Sequence, residues 1–213
     1  MIELNLGTNV LKLATVEGEW TNTRSEKVFH SEDSQVHNDL TPGPFRIEVS
    51  LFHENQLTEQ IFLVGCRSNK RSFIELEQFI VLGDKLVVYF DGCILAFDIS
   101  NLNFCWRINE FEIFGLYIFE NDLIVYDELS VLRIDKEGVI KWRYSGMDHF
   151  VSYKGNTAFE MNEDHIQLRD SFENIYRIDY DGNVIDDSDA RAVMATLSKS
   201  RKKRFFSINP FKR

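Results

Sequence analysis

The chain has 213 residues, of which 44% are hydrophobic and 13% aromatic, and its formal net charge is −10. This length and apolar content indicate a globular protein with one good core or two small ones. No apolar run approaches the roughly 20 residues of a membrane helix, and the start of the chain lacks a basic segment followed by an apolar one. We therefore expect a cytoplasmic protein without a membrane span.

The first third of the chain has the pattern of irregular β structure. Residues 2–6 and 10–16 are apolar runs on either side of a Gly7-Thr8-Asn9 turn, and residues 45–53 and 58–64 form a second such pair. Residues 21–44 between the two pairs are polar and weakly patterned, which indicates a surface loop or an interaction segment. Residues 1–72 are therefore predicted to form an N-terminal β-rich region.

An internal repeat follows. Residues 86–89 (Leu-Val-Val-Tyr) match residues 123–126 (Leu-Ile-Val-Tyr), and Asp98 precedes Trp106-Arg107 as Asp135 precedes Trp142-Arg143. Each copy divides into four short strands separated by turns such as Asp91-Gly92, a strong hairpin signal. A third, looser copy runs over about 149–185 without the Trp. Four antiparallel strands per copy are typical of a propeller blade.

The repeated pattern, which ends in an apolar residue, one further residue and then Trp-Arg, resembles the repeat of quinoprotein-type propellers, relatives of the WD-repeat and outer-membrane-assembly propellers. The resemblance covers residues 73–185 and implies a fold, with no catalytic role. A ring of eight such units would need roughly 320 residues, so an incomplete or atypical propeller is predicted. Trp106 and Trp142 are interpreted as packing residues, with ligand stacking as the alternative.

The last part of the chain changes character at Asp186. Ala190, Val193, Met194 and Leu197 follow helical spacing, so one amphipathic helix and a basic tail are predicted over 186–213. The predicted fold class is therefore all-β, with antiparallel propeller-like repeats, an N-terminal β region and one C-terminal helix.

No catalytic or cofactor motif is present in the sequence, so the chain is not expected to be an enzyme. The polar stretch 30–39 contains residue types that bind divalent metals, but their spacing fits no ligand template, which favours a solvated loop. Residues 179–183 hint at a calcium loop, yet Gly182 is fourth where such a loop needs sixth. Turn chemistry explains this segment better, and no metal or cofactor is predicted.

The charge is divided unevenly along the chain. Seven of the 24 Lys and Arg residues lie in the last fifteen positions, so residues 1–198 hold 17 basic residues against 34 acidic ones. Such a body repels nucleic acid and attracts basic partners, although acidic surfaces also serve solubility alone. The sequence thus favours a non-enzymatic protein-binding module, in its concrete form an inhibitor or immunity protein that neutralises a basic bacterial toxin such as a nuclease.

The residues predicted to contact this partner are acids in loops between strands: Glu32, Asp33, Asp39, Glu120, Asp122, Asp127, Glu128, Glu163 and Asp164. The alternative is an enzyme or a carbohydrate- or small-molecule-binding β protein with a pocket at the end of the repeats.

Overall fold

The computed structural model describes residues 1–15, 27–30, 45–65, 79–90, 92–109 and 113–187, without the side chains of 27–30, 45–46 and 64–65. Every regular element in these ranges is a β-strand, which confirms the all-β prediction. The predicted C-terminal helix and the boundary at residue 72 lie outside the described residues. Within the described ranges, no helix is long and apolar enough to cross a membrane.

The N-terminal sheet has five strands in the order β1-β2-β4-β5-β3. The strands are β1 Ile2–Leu6, β2 Asn9–Thr15, β3 Lys27–His30, β4 Phe45–His53 and β5 Gln56–Gly65. Neighbours pair antiparallel except β3, which pairs parallel with β5. Of the two alternatives for residues 21–44, a continuous surface loop is wrong at β3. Four residues are too few to produce an alternation signal.

Three four-stranded sheets follow, each made of strands consecutive in the chain. The first repeat sheet contains β6 Phe79–Leu82, β7 Lys85–Phe90, β8 Cys93–Asp98 and β9 Phe104–Asn109. The second contains β10 Ile113–Phe119, β11 Asp122–Asp127, β12 Ser130–Asp135 and β13 Ile140–Ser145. The third contains β14 Phe159–Met161, β15 His165–Arg169, β16 Ile175–Asp179 and β17 Val184–Asp186. The three copies predicted from the repeat are confirmed as blade-like sheets.

Burial explains why the two central strands of the first and second repeat sheets carry the repeat signal. All residues of β7 and β11 are buried, as are five of the six residues of β8 and of β12. The outer strands β9 and β13 have no buried residue. Strands that are buried on both faces consist of nearly continuous apolar residues, and these apolar runs align between the copies.

The chain forms two compact units. The first comprises Met1–Val125 and Ile134–Ile140, and the second Tyr126–Arg133 and Lys141–Arg213. In the first unit the N-terminal sheet and the first repeat sheet share one hydrophobic core, which contains Leu11, Val49, Leu95 and the fully buried Leu102. Each fully buried aliphatic side chain contributes about 1.5–3 kcal/mol to folding.

Each repeat tryptophan packs on a glycine in the turn of the following sheet. Trp106 Nε1 donates a hydrogen bond to the Lys136 carbonyl over 2.8 Å, and a Cβ added to Gly138 would lie 2.6 Å from Trp106 Cγ. Trp142 Cγ lies at the same 2.6 Å from a Cβ added to Gly182. Both glycines have positive φ. A side chain at either position would therefore strain the backbone and also clash with the tryptophan ring. The interpretation of the tryptophans as packing residues is confirmed.

Candidate functional site: the loop cluster of the second unit

The connection between the second and third repeat sheets is much longer than the one before it. Three residues, 110–112, separate β9 from β10, whereas thirteen, 146–158, separate β13 from β14. Residues inserted into one repeat lie in loops, and loops carry binding function more often than the strands that hold them. We call this connection, together with the turns 127–130 and 170–174, the loop cluster. All three segments belong to the second unit.

Backbone hydrogen bonds join the three segments of the loop cluster. Phe150 N donates to the Glu128 carbonyl over 2.7 Å, which fixes the connection to the β11–β12 turn. Ser171 N donates to the His149 carbonyl over 2.9 Å, which fixes it to the β15–β16 turn. The three segments therefore lie side by side at one end of their strands.

A buried aromatic group supports the loop cluster from below. Phe150 is fully buried, and its ring centroid lies 6.4 Å from that of Tyr144 and 5.9 Å from that of Tyr176. The Tyr126 hydroxyl donates to the Phe150 carbonyl. Ring pairs at these spacings stabilise beyond the area they bury, so the middle of the connection is anchored to the core.

The fully buried carboxylate of Asp170 organises the β15–β16 turn. Its Oδ1 accepts from Phe172 N at 3.0 Å and Asn174 N at 2.9 Å. Its Oδ2 accepts from Asn174 Nδ2 at 2.8 Å and from the Tyr176 hydroxyl at 2.7 Å. Burial, together with this bond to Asp170, raises the pKa of Tyr176 far above its usual value. Four donors satisfy the buried carboxylate, as a buried polar group requires.

Glu173 is the carboxylate that ties the β15–β16 turn to the long connection. Asn156 Nδ2 donates to Glu173 Oε2 over 2.7 Å, and the Ser152 hydroxyl donates to Glu173 Oε1 over 2.8 Å. These hydrogen bonds hold the pKa of Glu173 below its usual value. Arg169 NH1 lies 3.3 Å from Glu173 Oε2. The carboxylate therefore stays ionised and oriented at neutral and mildly acidic pH.

Two further carboxylates flank His149. Its Nδ1 lies 2.6 Å from Glu128 Oε1. Asp148 accepts from His149 N at 2.8 Å and from the Ser171 hydroxyl at 2.8 Å, and these bonds hold the pKa of Asp148 below its usual value. A serine nucleophile would need its hydrogen bond to go to the imidazole. The Ser171 hydroxyl instead donates to the Asp148 carboxylate, and this bond fixes the orientation of that negative charge.

The loop cluster is strongly acidic. It holds five carboxylates and one lysine, namely Asp127, Glu128, Asp148, Asp170 and Glu173 against Lys154. The carboxylates of Asp127 and Asp170 are buried, and those of Glu128 and Asp148 are half-buried. The Glu173 side chain is 13% exposed and lies against Arg169. This end of the second unit therefore presents oriented negative charge.

The structure separates the acids predicted from the sequence. Glu32, Asp33 and Asp39 lie outside the described residues. Glu120, Glu163 and Asp164 are exposed in turns, and Glu128 is half-buried in the loop cluster. Asp122 and Asp127 are buried. Their role as contact residues stays a prediction. In the structure Asp127 accepts hydrogen bonds from Leu129 N and the Ser130 hydroxyl and thereby caps its own turn.

The exposed predicted acids also lie at opposite ends of their strands. Glu120 precedes the six-residue strand β11 and Glu128 follows it, so the two acids lie at opposite ends of that strand. Glu163 and Asp164 likewise precede β15, whereas the loop cluster follows it. A partner at the loop cluster would meet Glu128 without meeting Glu163 or Asp164.

Asp148, Tyr153, Phe172 and Glu173 were not among the residues predicted from the sequence. The signal that could have found them is the length of the third copy, whose Asp179 stands 44 residues after Asp135 although Asp135 stands 37 after Asp98. Extra length in one repeat marks the loops that depart from the scaffold.

The strands and the loop cluster define an all-β protein of propeller-like repeats in which one loop end is enlarged. No protein-family model and no curated protein matches the chain. Among solved structures, it is similar to BamB from Moraxella catarrhalis, at 11% identity and a TM-score of 0.44 over 67% of this chain and 48% of that one. It is also similar to the computationally designed Ika8 protein, at 14% identity and a TM-score of 0.43 over 88% and 61% of the two chains.

The chain thus spans less than two thirds of the length of either structure. Similarity at this level concerns the fold alone and says nothing of function.

Proposed function

We propose that this protein is a non-enzymatic binding module whose loop cluster contacts a basic protein partner. The observation that carries the proposal is the group of three carboxylates in the loop cluster, Glu128, Asp148 and Glu173. Glu173 also contacts Arg169, which directly precedes the cluster, and the cluster itself contains one lysine, Lys154. Hydrogen bonds within the cluster already orient Asp148 and Glu173. Side chains ordered before binding lose little conformational entropy on contact, and oriented charge accelerates encounter with an opposite charge.

In its concrete form, the proposal is an inhibitor or immunity protein for a cationic toxin such as a bacterial nuclease. The acidic excess over residues 1–198, 34 acids against 17 bases, would attract such a toxin before contact. Carboxylates can occupy the positions that substrate phosphates take in a nuclease, because both are oxygen anions that pair with Arg and Lys. Such a protein would act in the compartment where the toxin is made or arrives, and we propose the cytoplasm.

The test is an affinity capture from the native host with the purified full chain as bait. The charge reversal Glu128→Lys, in the loop cluster, is compared with Glu163→Lys. The second variant makes the same charge change at the end of β15 that is remote from the loop cluster. We expect capture of a basic protein that Glu128→Lys weakens about tenfold or more and Glu163→Lys weakens much less, with binding that falls as salt rises. An acidic partner, or binding indifferent to salt, would contradict the proposal.

A further inference from the structure

Two aromatic side chains project from the loop cluster into solvent. Tyr153 in the long connection is 83% exposed, and Phe172 in the β15–β16 turn is 71% exposed. Leu129 and Met147, on the other segments of the cluster, are exposed as well. Single apolar residues on a surface are ordinary, but a group of them on adjoining loops marks an interaction site.

Hydrogen bonds hold the two aromatic residues near each other. Phe172 stands between Ser171 and Glu173, and the Glu173 carboxylate accepts from the Ser152 hydroxyl over 2.8 Å. Tyr153 follows Ser152 directly in the chain. The two aromatic residues therefore extend from chain neighbours that are bonded to each other.

The backbone under both aromatic residues is fixed. Phe172 N donates to Asp170 Oδ1 over 3.0 Å, and Glu173 N donates to the Asp170 carbonyl over 2.9 Å. On the other segment, the Ser152 hydroxyl accepts from Lys154 N at 3.3 Å and from Asn156 N at 3.2 Å. Aromatic side chains on a fixed backbone bury a large area at low entropic cost, which is the character of an interface anchor.

We propose that Tyr153 and Phe172 are the anchors for a basic segment of the protein partner. Apolar side chains of that segment pack on the two rings, and its Lys or Arg residues pair with the carboxylates of Glu128, Asp148 and Glu173. An Arg can also stack on either ring. This inference rests on the proposed function and adds to it the chemistry of the contact.

Charge decides between the possible occupants of this surface. A second copy of the chain would bring the same three carboxylates against their equivalents, and like charges in contact cost affinity. A nucleic acid or an anionic membrane would be repelled for the same reason. A basic segment with apolar side chains complements both the rings and the charges.

The test uses a phage-displayed library of random linear peptides, selected on the purified full chain. The double variant Tyr153→Ser/Phe172→Ser is compared with Ile185→Ser, which removes an exposed apolar side chain on β17, outside the loop cluster. Circular dichroism and thermal unfolding confirm that each variant folds. We expect selected peptides to combine Lys or Arg with an aromatic or aliphatic residue. They should bind the double variant at least tenfold more weakly and the Ile185→Ser variant as tightly as the wild type.

Different negative results separate a failure of the aromatic anchors from a failure of the proposed function. Basic peptides that bind the double variant as tightly as the wild type would overturn the anchors and leave the proposed function standing. Selected peptides without basic residues, or no enrichment at all, would overturn the proposed occupant. Concentration-dependent dimerisation in analytical ultracentrifugation that the double variant abolishes would assign the surface to a second copy and also overturn it. A basic host partner captured by the full chain would uphold the proposed function in any of these cases.

Discussion

The two ends of the third repeat sheet use the same strands for different purposes. At the turn end, residues 180–183 close tightly under Trp142, whose Nε1 donates to the Tyr180 carbonyl over 2.9 Å. At the loop end, the long connection and the turn 170–174 extend beyond the strands and expose Tyr153 and Phe172. The repeat is therefore regular where sheets pack on one another and irregular at the end that exposes Tyr153 and Phe172.

The two ends also differ in how they satisfy their polar groups. The turn end relies on Asp179, whose Oδ1 accepts from Asp181 N at 3.0 Å and Asn183 N at 2.7 Å, so the segment resembling a calcium loop is a turn. The loop end relies on the buried Asp170 and on side-chain bonds across segments. Order at the loop end therefore depends on carboxylates that join separate segments, whereas order at the turn end depends on one carboxylate within its own turn and on ring packing.

The largest expected effect is the loss of Asp170. Asp170→Ala leaves the Tyr176 hydroxyl and the amides of Phe172 and Asn174 without their acceptor, which should lower the free energy of unfolding by about 4 kcal/mol. Urea denaturation measures this loss. Asp181→Ala, an exposed acid at the turn end, serves as the control and should change stability by no more than about 0.5 kcal/mol. Equal losses for the two variants would remove the special role of Asp170.

A smaller loss is expected from Gly182→Ala at the turn end. The added methyl would meet Trp142 Cγ at 2.6 Å at a residue whose φ is +85°, and clash and backbone strain together cost about 2–3 kcal/mol. The matched control at the loop end is Gly155→Ala, with φ +78° and no atom within 4 Å, which should cost only about 1 kcal/mol of strain. Thermal unfolding compares the two, and a Gly155→Ala loss as large as that of Gly182→Ala would show that the ring contact adds nothing.

The smallest effect concerns pH and the Glu173 carboxylate. Its folded pKa lies below the usual value, so its contribution is present above the unfolded pKa and is lost as pH falls through the folded pKa. Wild type should therefore exceed Glu173→Gln in stability at pH 7, and the difference should shrink as pH falls below the usual carboxyl value of 4.5. Urea titrations across this range measure it. A difference that stayed constant with pH would mean that ionisation of Glu173 is not involved.

Much of the scaffold could be predicted from the sequence, because the buried strands appear there as apolar runs that repeat at a regular spacing. The apolar runs of β7 and β11 and the Asp and Trp-Arg signatures predicted three blade-like units, and the Asp-Gly turns predicted where strands end. Loop positions could not be predicted in the same way. Which of two strand ends an acid occupies, and whether a turn carboxylate such as Asp127 faces solvent or its own backbone, depends on hydrogen bonds that leave no periodic pattern. Glu128 and Glu163 look alike in sequence for this reason.

Hydrogen–deuterium exchange on the complex with the captured partner tests the central claim most directly, because it reports both ends of the third repeat sheet at once. Binding at the loop cluster predicts slower exchange over residues 146–158 and 170–174, with no change over 162–164 and 180–183. Protection confined to the turn end, with unchanged exchange across the loop cluster, would contradict the account.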